Sequence, residues 1–111
     1  MKEIKAYNHR SRVADVISAL KESASWSAAG SGEHNLTAYM VKGSLKPLHE
    51  GERRYSIDLG DEVIDEYKLE LHCADSQVDE LVKIIVDSAR TGQDNSGWVY
   101  TVDIVSAVPI S

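Results

Sequence analysis

The run Ala74-Asp75-Ser76-Gln77-Val78-Asp79-Glu80-Leu81-Val82-Lys83-Ile84-Ile85-Val86-Asp87-Ser88-Ala89-Arg90-Thr91-Gly92 carries the clearest periodicity in the chain. Val78, Leu81, Val82 and Ile85 repeat at i, i+3, i+4 and i+7, the stripe of a helix with one apolar face. Ser76 followed by Asp79 three residues later is a version of the helix-start pattern, and Gly92 is placed to stop the helix. Gln93 to Gly97 is a short polar loop. Trp98 to Val108, rich in β-branched and aromatic residues, reads as a strand.

Working back toward the N-terminus, the period changes to two. Tyr55 to Leu59 and Val63 to Cys73 alternate, separated by Gly60-Asp61, and form either one kinked strand or two short ones. Lys46-Pro47-Leu48-His49-Glu50-Gly51-Glu52 breaks a strand, because proline lacks the N–H a ladder needs, and it marks the tip of a long hairpin. Leu36 to Leu45 has strand character through Thr37, Tyr39 and Val41. Gly43 near its end tolerates close backbone approach or positive φ. Ala24 to His34, mostly Ser, Ala and Gly, reads as a loop. Val13, Val16, Ile17 and Leu20 form a second helical stripe that ends near Ser23, with Ser11 placed to cap it. In Glu3 to Tyr7, Ile4 is out of phase with Glu3, Lys5 and Tyr7, as in a strand with one face on a core. The order β-α-β-β-α-β is that of the α+β ferredoxin-like sandwich, two helices over one face of a four-stranded antiparallel sheet. The other face needs a cover, and trimer formation is one way to supply it.

Composition narrows the function. The 111 residues are expected to form one domain, 1–111, with a core that gains from oligomerisation. The net charge of −6, with scattered Lys and Arg, disfavours nucleic acid. No segment approaches the roughly 18 apolar residues of a membrane span, no signal-like run opens the chain, and the single Cys73 suits a reducing compartment. A cytoplasmic protein is expected, without membrane insertion.

The exit of the Val78 helix carries a more specific signal. Ala74-Asp75, Val78-Asp79, Ala89-Arg90-Thr91-Gly92, the closing Gly97 and the aromatic strand start resemble the PII signal-transduction (nitrogen regulatory P-II-like) family from its third strand into its phosphate-facing B-loop. Met1 to Ala6, Val13 to Leu20, Leu36-Thr37, Val41-Lys42-Gly43 and Lys68 to Leu71 resemble its remaining elements. The resemblance implies a homotrimer, not an enzyme, with a small effector in each intersubunit cleft and a T-loop that regulates a partner protein such as a transporter, efflux component or enzyme. It implies Thr37, Gly43, Glu70, Arg90, Thr91, Gly92, Gly97 and Trp98 as effector contacts. No cofactor is obligatory; the expected effector is an adenine nucleotide.

Departures from the family pattern set the preference among nucleotides. Where the family has Gly-Asp-Gly-Lys, this chain has Asn95-Ser96-Gly97-Trp98, and Pro109 and Ser111 stand where C-terminal arginines would meet phosphates. Each charge-assisted bond lost is worth roughly 1.5–3 kcal/mol, so ADP or AMP is expected in place of ATP. The segment between Gly43 and Arg54 contains no tyrosine for uridylylation, and Tyr55 falls at a strand start.

Other features have plainer readings. Arg90-Thr91-Gly92 alone would pass for a helix end with an αL glycine. His72-Cys73 cannot chelate one ion from opposite faces of a strand, so Cys73 is expected in the core. His9, His34 and His49 fall in or beside loops, where histidines are usually solvated; together with acidic residues they define the alternative, a divalent-metal-binding trimer linked to metal efflux or tolerance. The run Asp58, Asp61, Glu62, Asp65, Glu66 reads as a solvated face. Trp26 and Trp98 suit either stacking on a base or a subunit interface, Trp98 favouring the cleft. No nucleophile and base pair, Walker-type loop or acylphosphatase-like loop is present.

Overall fold

The structure, a computed structural model, describes residues 1–28 and 33–111. Strand β1 (Lys2–His9) is followed by helices α1 (Val13–Lys21) and α2 (Ala24–Ala28), strands β2 (Thr37–Gly43), β3 (Arg54–Ser56) and β4 (Asp61–Cys73), helix α3 (Val78–Ser88) and strand β5 (Trp98–Asp103). The main sheet has the order β2-β4-β1-β5 with every pairing antiparallel, and β3 is a short addition paired with β4. This is the ferredoxin-like arrangement with one extra strand.

The alternation along β1 sends Ile4 and Ala6 to one face, where they meet Leu69, Leu71 and Cys73 of β4 and the stripes Val16–Leu20 and Leu81–Ile85 of α1 and α3. Arg12 locks the helix pair: its Nε and Nη2 donate to the Ser88 carbonyl at 3.1 and 2.8 Å, satisfying a free acceptor in the last turn of α3. Cys73 lies in this core, as its strand position requires. No helix among the described residues is long and apolar enough to cross a membrane.

Several local expectations need correction. Part of the expected 24–34 loop is the helix α2: the Ser23 hydroxyl accepts from the Trp26 N–H at 3.3 Å, and Trp26 packs against the core. The rest of that segment includes residues 29–32, outside the described residues. The two alternating runs belong to two strands, not one kinked strand, but the first is short: β3 ends at Ser56, Ile57 to Leu59 lie in the turn, and this turn through Gly60, at φ 67°, folds β3 back onto β4. Hence β2 pairs with β4, and residues 44–53 link its end to this small hairpin. Strand β5 stops at Asp103, not at Val108, because its sole neighbour β1 begins at Lys2 and the last bond is Ile104 N–H to the Met1 carbonyl, at 3.2 Å. Ser11 does not cap α1 but turns back to His9. Ser76 lies within a single 3₁₀ turn, and the Gln77 side chain accepts from the Ala74 N–H at 3.0 Å. The helix α3 ends at Ser88, so Gly92, at φ 88°, turns the following loop and does not cap the helix.

Candidate functional site

The sheet face away from the helices carries Tyr7 on β1, Tyr39 and Val41 on β2, Glu66, Lys68 and Glu70 on β4, and Trp98, Tyr100 and Val102 on β5. At its middle, the Lys5 ammonium and the Tyr39 hydroxyl both donate to the Glu70 carboxylate, the latter at 2.7 Å. Lys68 lies over the rings of Tyr7 and Tyr39, 5.5 and 5.1 Å from their centroids. Lys5, then Tyr39, hold the Glu70 carboxyl below its usual range, and Glu70 followed by Glu3 pushes the Lys5 ammonium up.

Toward one end of this face the sheet opens into a cleft of about 810 Å³, between residues 42–46 and 53 on one side and 94–95 with the start of β5 on the other. Tyr7 pairs with Trp98 across β1 and β5, and the Tyr7 and Tyr100 rings meet edge to face at 5.9 Å. The loop before β5 closes against β1 because position 97 is glycine: a Cβ there would lie 2.6 Å from the Tyr7 carbonyl oxygen. Trp98 emerges from this contact 51% exposed, with its side chain available to the cleft.

The opposite wall depends on Gly43. A Cβ at that position would sit 2.2 Å from the Glu66 carboxyl carbon, so the glycine lets the Glu66 side chain cross β2 and accept from the Leu45 N–H at 3.2 Å. Glu66 is only 4% exposed. Burial pushes its carboxyl up, against the Leu45 N–H and the neighbouring His9, which favour the ionised form.

A second anchor holds the far end of the 44–53 segment. Glu52 accepts from the N–H groups of Leu48 and His49, at 2.7 and 3.3 Å, and from His9 Nε2 at 2.6 Å. The Ser11 N–H donates to His9 Nδ1 at 3.1 Å, so Nδ1 is the acceptor and Nε2 carries the proton given to Glu52. Burial raises the Glu52 carboxyl, but His9 and the two backbone donors outweigh it and hold it below its ordinary value.

Of the residues singled out from the sequence, Gly43 and Trp98 line the large cleft. Arg90, Gly97 and Trp98 line a neighbouring cleft of about 390 Å³ that shares Tyr7, Asn95 and Trp98 with it. Arg90 is exposed and paired with Asp87 at 3.3 Å. Thr91 and Gly92 line neither cleft, although the Thr91 hydroxyl is buried without a partner among the described residues. Thr37 and Glu70 are cross-strand neighbours in the Lys5–Tyr39 cluster. Gly43 pairs with Ile64, so the two stand six positions along β4 from Gly43, about 20 Å at strand rise. Within one subunit they belong to a different region of the face.

Sequence reasoning placed none of Lys46, Arg53, Glu66, His9 and Glu52 at the cleft: the first three line it, and His9 with Glu52 anchors the segment behind it. Tyr7 had a signal: it shares the phase of Glu3 and Lys5, opposite the core residue Ile4. The acidic run is not uniformly solvated, since Glu66 is buried and Asp65 pairs with Arg54. Nor are the loop histidines. His9 is buried against Glu52, and His34 is buried, stacked on Trp26 at 4.3 Å and donating from Nδ1 to the His72 carbonyl at 2.9 Å. Among the described residues, no group of three or more His, Cys, Asp or Glu could hold a metal ion.

No family model matches the chain. Two curated proteins are similar to it: a nitrogen regulatory protein P-II of Cyanidium caldarium, 27% identical over 79 residues, and a nitrogen regulatory protein P-II of Porphyra purpurea, 25% identical over 79 residues. Each alignment covers 71% of this chain and 70% of the relative.

Proposed function

We propose that this chain, a divergent relative of the nitrogen regulatory P-II proteins, is a regulator that senses a small effector in the cleft beside Trp98 and signals through residues 44–53. The observation that carries this is the meeting of two glycine-dependent walls, at Gly43 and Gly97, around an exposed tryptophan and an edge-to-face tyrosine pair. Such a cleft suits a planar ring with a charged tail, and the effector is an adenine nucleotide, ADP or AMP in preference to ATP. The relatives are named as regulatory proteins, which favours a regulator over an enzyme.

The working unit is a homotrimer. The face bearing Tyr39, Trp98, Tyr100 and Val102 has large apolar groups exposed in the single chain, and three such faces turned toward one axis would cover them. Neighbouring subunits would then bring the Thr37–Glu70 region of one chain toward the cleft of the next. Effector binding acts on the partner protein only to the extent that it prefers one arrangement of residues 44–53 over another.

Differential scanning fluorimetry against ATP, ADP, AMP, cyclic nucleotides, bicarbonate and divalent metals tests this, since any ligand that prefers the folded state raises Tm. A shift with ADP or AMP that Trp98→Ala abolishes is expected. A shift with metal and none with any nucleotide would end the nucleotide reading.

A further inference from the structure

Resting on the nucleotide-effector reading above, we infer that the side chains of Asn95 and Asp94 read the N6–N7 edge of the effector's base and make the cleft selective for adenine over guanine and hypoxanthine. Tyr7, Asn95 and Trp98 line both the large cleft and its smaller neighbour, so Asn95 borders the same space as the exposed indole. Asp94 lines the large cleft beside it. This wall offers an acid and an amide and no cation, whereas Lys42, Lys46 and Arg53 all stand on the opposite wall. The two walls favour different bases. A guanine or hypoxanthine edge presents two acceptors, N7 and O6, which a lysine or arginine matches. An adenine edge presents the acceptor N7 beside the donor N6 amine, which an asparagine matches with both ends of its amide. Asp94 extends the contrast, because a carboxylate accepts from an amine and repels a keto oxygen.

The backbone carries the amide on a fixed turn. Asn95 stands at φ 56°, a left-handed conformation that asparagine enters more readily than most residues with a side chain. Two residues on, Gly97 presses the loop against the Tyr7 carbonyl, and Trp98 then begins β5. The amide and the indole are thereby tied to one strand end. Asn95 and Trp98 are also the two positions of this turn where the resembled family pattern has glycine and lysine, so the turn itself does not require the amide. Stacking on Trp98 holds any base by its face and is indifferent to its edge, which leaves the choice of base to the groups beside the ring. The roles of Asn95 separate by substitution. Asn95→Gly keeps the left-handed backbone and removes the amide, and Asn95→Asp keeps the shape and removes the donor that N7 needs.

Isothermal titration of the purified protein with ADP, IDP, GDP and 7-deaza-ADP tests the assignment. The wild type should bind ADP about tenfold or more tighter than IDP or GDP, and 7-deaza-ADP, which lacks the N7 acceptor, less tightly than ADP. Asn95→Gly and Asn95→Asp should each abolish the difference between ADP and 7-deaza-ADP, with Tm in the absence of ligand matching the wild type. Asp94→Asn should tighten IDP, since an amide can donate to the keto oxygen. Trp98→Ala should weaken all four nucleotides alike. If the wild type binds ADP but no more tightly than IDP or GDP, or if the Asn95 and Asp94 variants keep the wild-type preferences, the assignment is overturned and the effector reading stands. If the wild type binds no adenine nucleotide, the effector reading itself fails and the assignment falls with it.

Discussion

Glu66 and Gly43 show how one buried side chain shapes the cleft. The glycine lets the carboxyl cross a strand, the carboxyl satisfies the Leu45 N–H, and burial raises its proton affinity. A carboxyl whose folded pKa is raised costs stability at high pH, and that cost disappears as pH falls through the folded value to the ordinary 4.5. Glu66→Gln keeps an acceptor for Leu45 without the charge. Thermal melts should therefore show the variant more stable than wild type at pH 8, with the gap closing toward pH 4.5; a gap that widens on acidification would contradict the burial account. Gly97 is the second such residue. Gly97→Ala puts a Cβ against the Tyr7 carbonyl, forces β1 and β5 apart and should lower stability by about 1–3 kcal/mol in urea titrations, with loss of effector binding. Unchanged stability would mean the loop relaxes freely. Gly43 was visible in the sequence as a site of backbone licence, and Gly97 as the glycine that closes the loop before β5. What presses on them was not, because a carboxylate six positions from the nearest glycine along an alternating strand has no local signature of burial.

At the scale of elements, the stripes of α1 and α3 and the alternation in β1 and β4 were legible because they reflect one property, repeated burial against a common core. Boundaries and small elements were less so. The helix α2 has too few residues for a period and is held by Ser23 and by core contacts of Trp26, which no local count reveals. Strand β5 ends where its partner ends, a fact that belongs to β1. The pair α1–α3 offers a test of how the elements are joined. Arg12→Ala removes two bonds to the Ser88 carbonyl and should destabilise the protein by about 1–3 kcal/mol, with Arg12→Lys recovering part of the loss. Denaturant melts that find Arg12→Ala neutral would show that water caps α3 equally well. Leu20→Ala, in the fully buried stripe, should cost about 2–5 kcal/mol by the same measurement.

For the whole molecule, the question is what covers the open face. Sedimentation velocity should give a species of three times 12.2 kDa, and Tyr100→Glu, which places a charge among the exposed aromatics, should shift it toward monomer. A monomeric wild type would remove the trimer and leave the cleft to one chain. The sequence by itself determined the order of elements, the two helical stripes and the core strands, since these depend on the spacing of apolar residues. Its resemblance to the P-II proteins rested on short motifs such as Ala89-Arg90-Thr91-Gly92. Only the tertiary structure decided that Lys46, Arg53 and Glu66 line one cleft wall, that His9 and Glu52 anchor the segment behind it, and that Thr37 and Glu70 stand apart from it within a subunit. Those relations join residues far apart in the chain through strand register and burial, and neither quantity is written in local sequence.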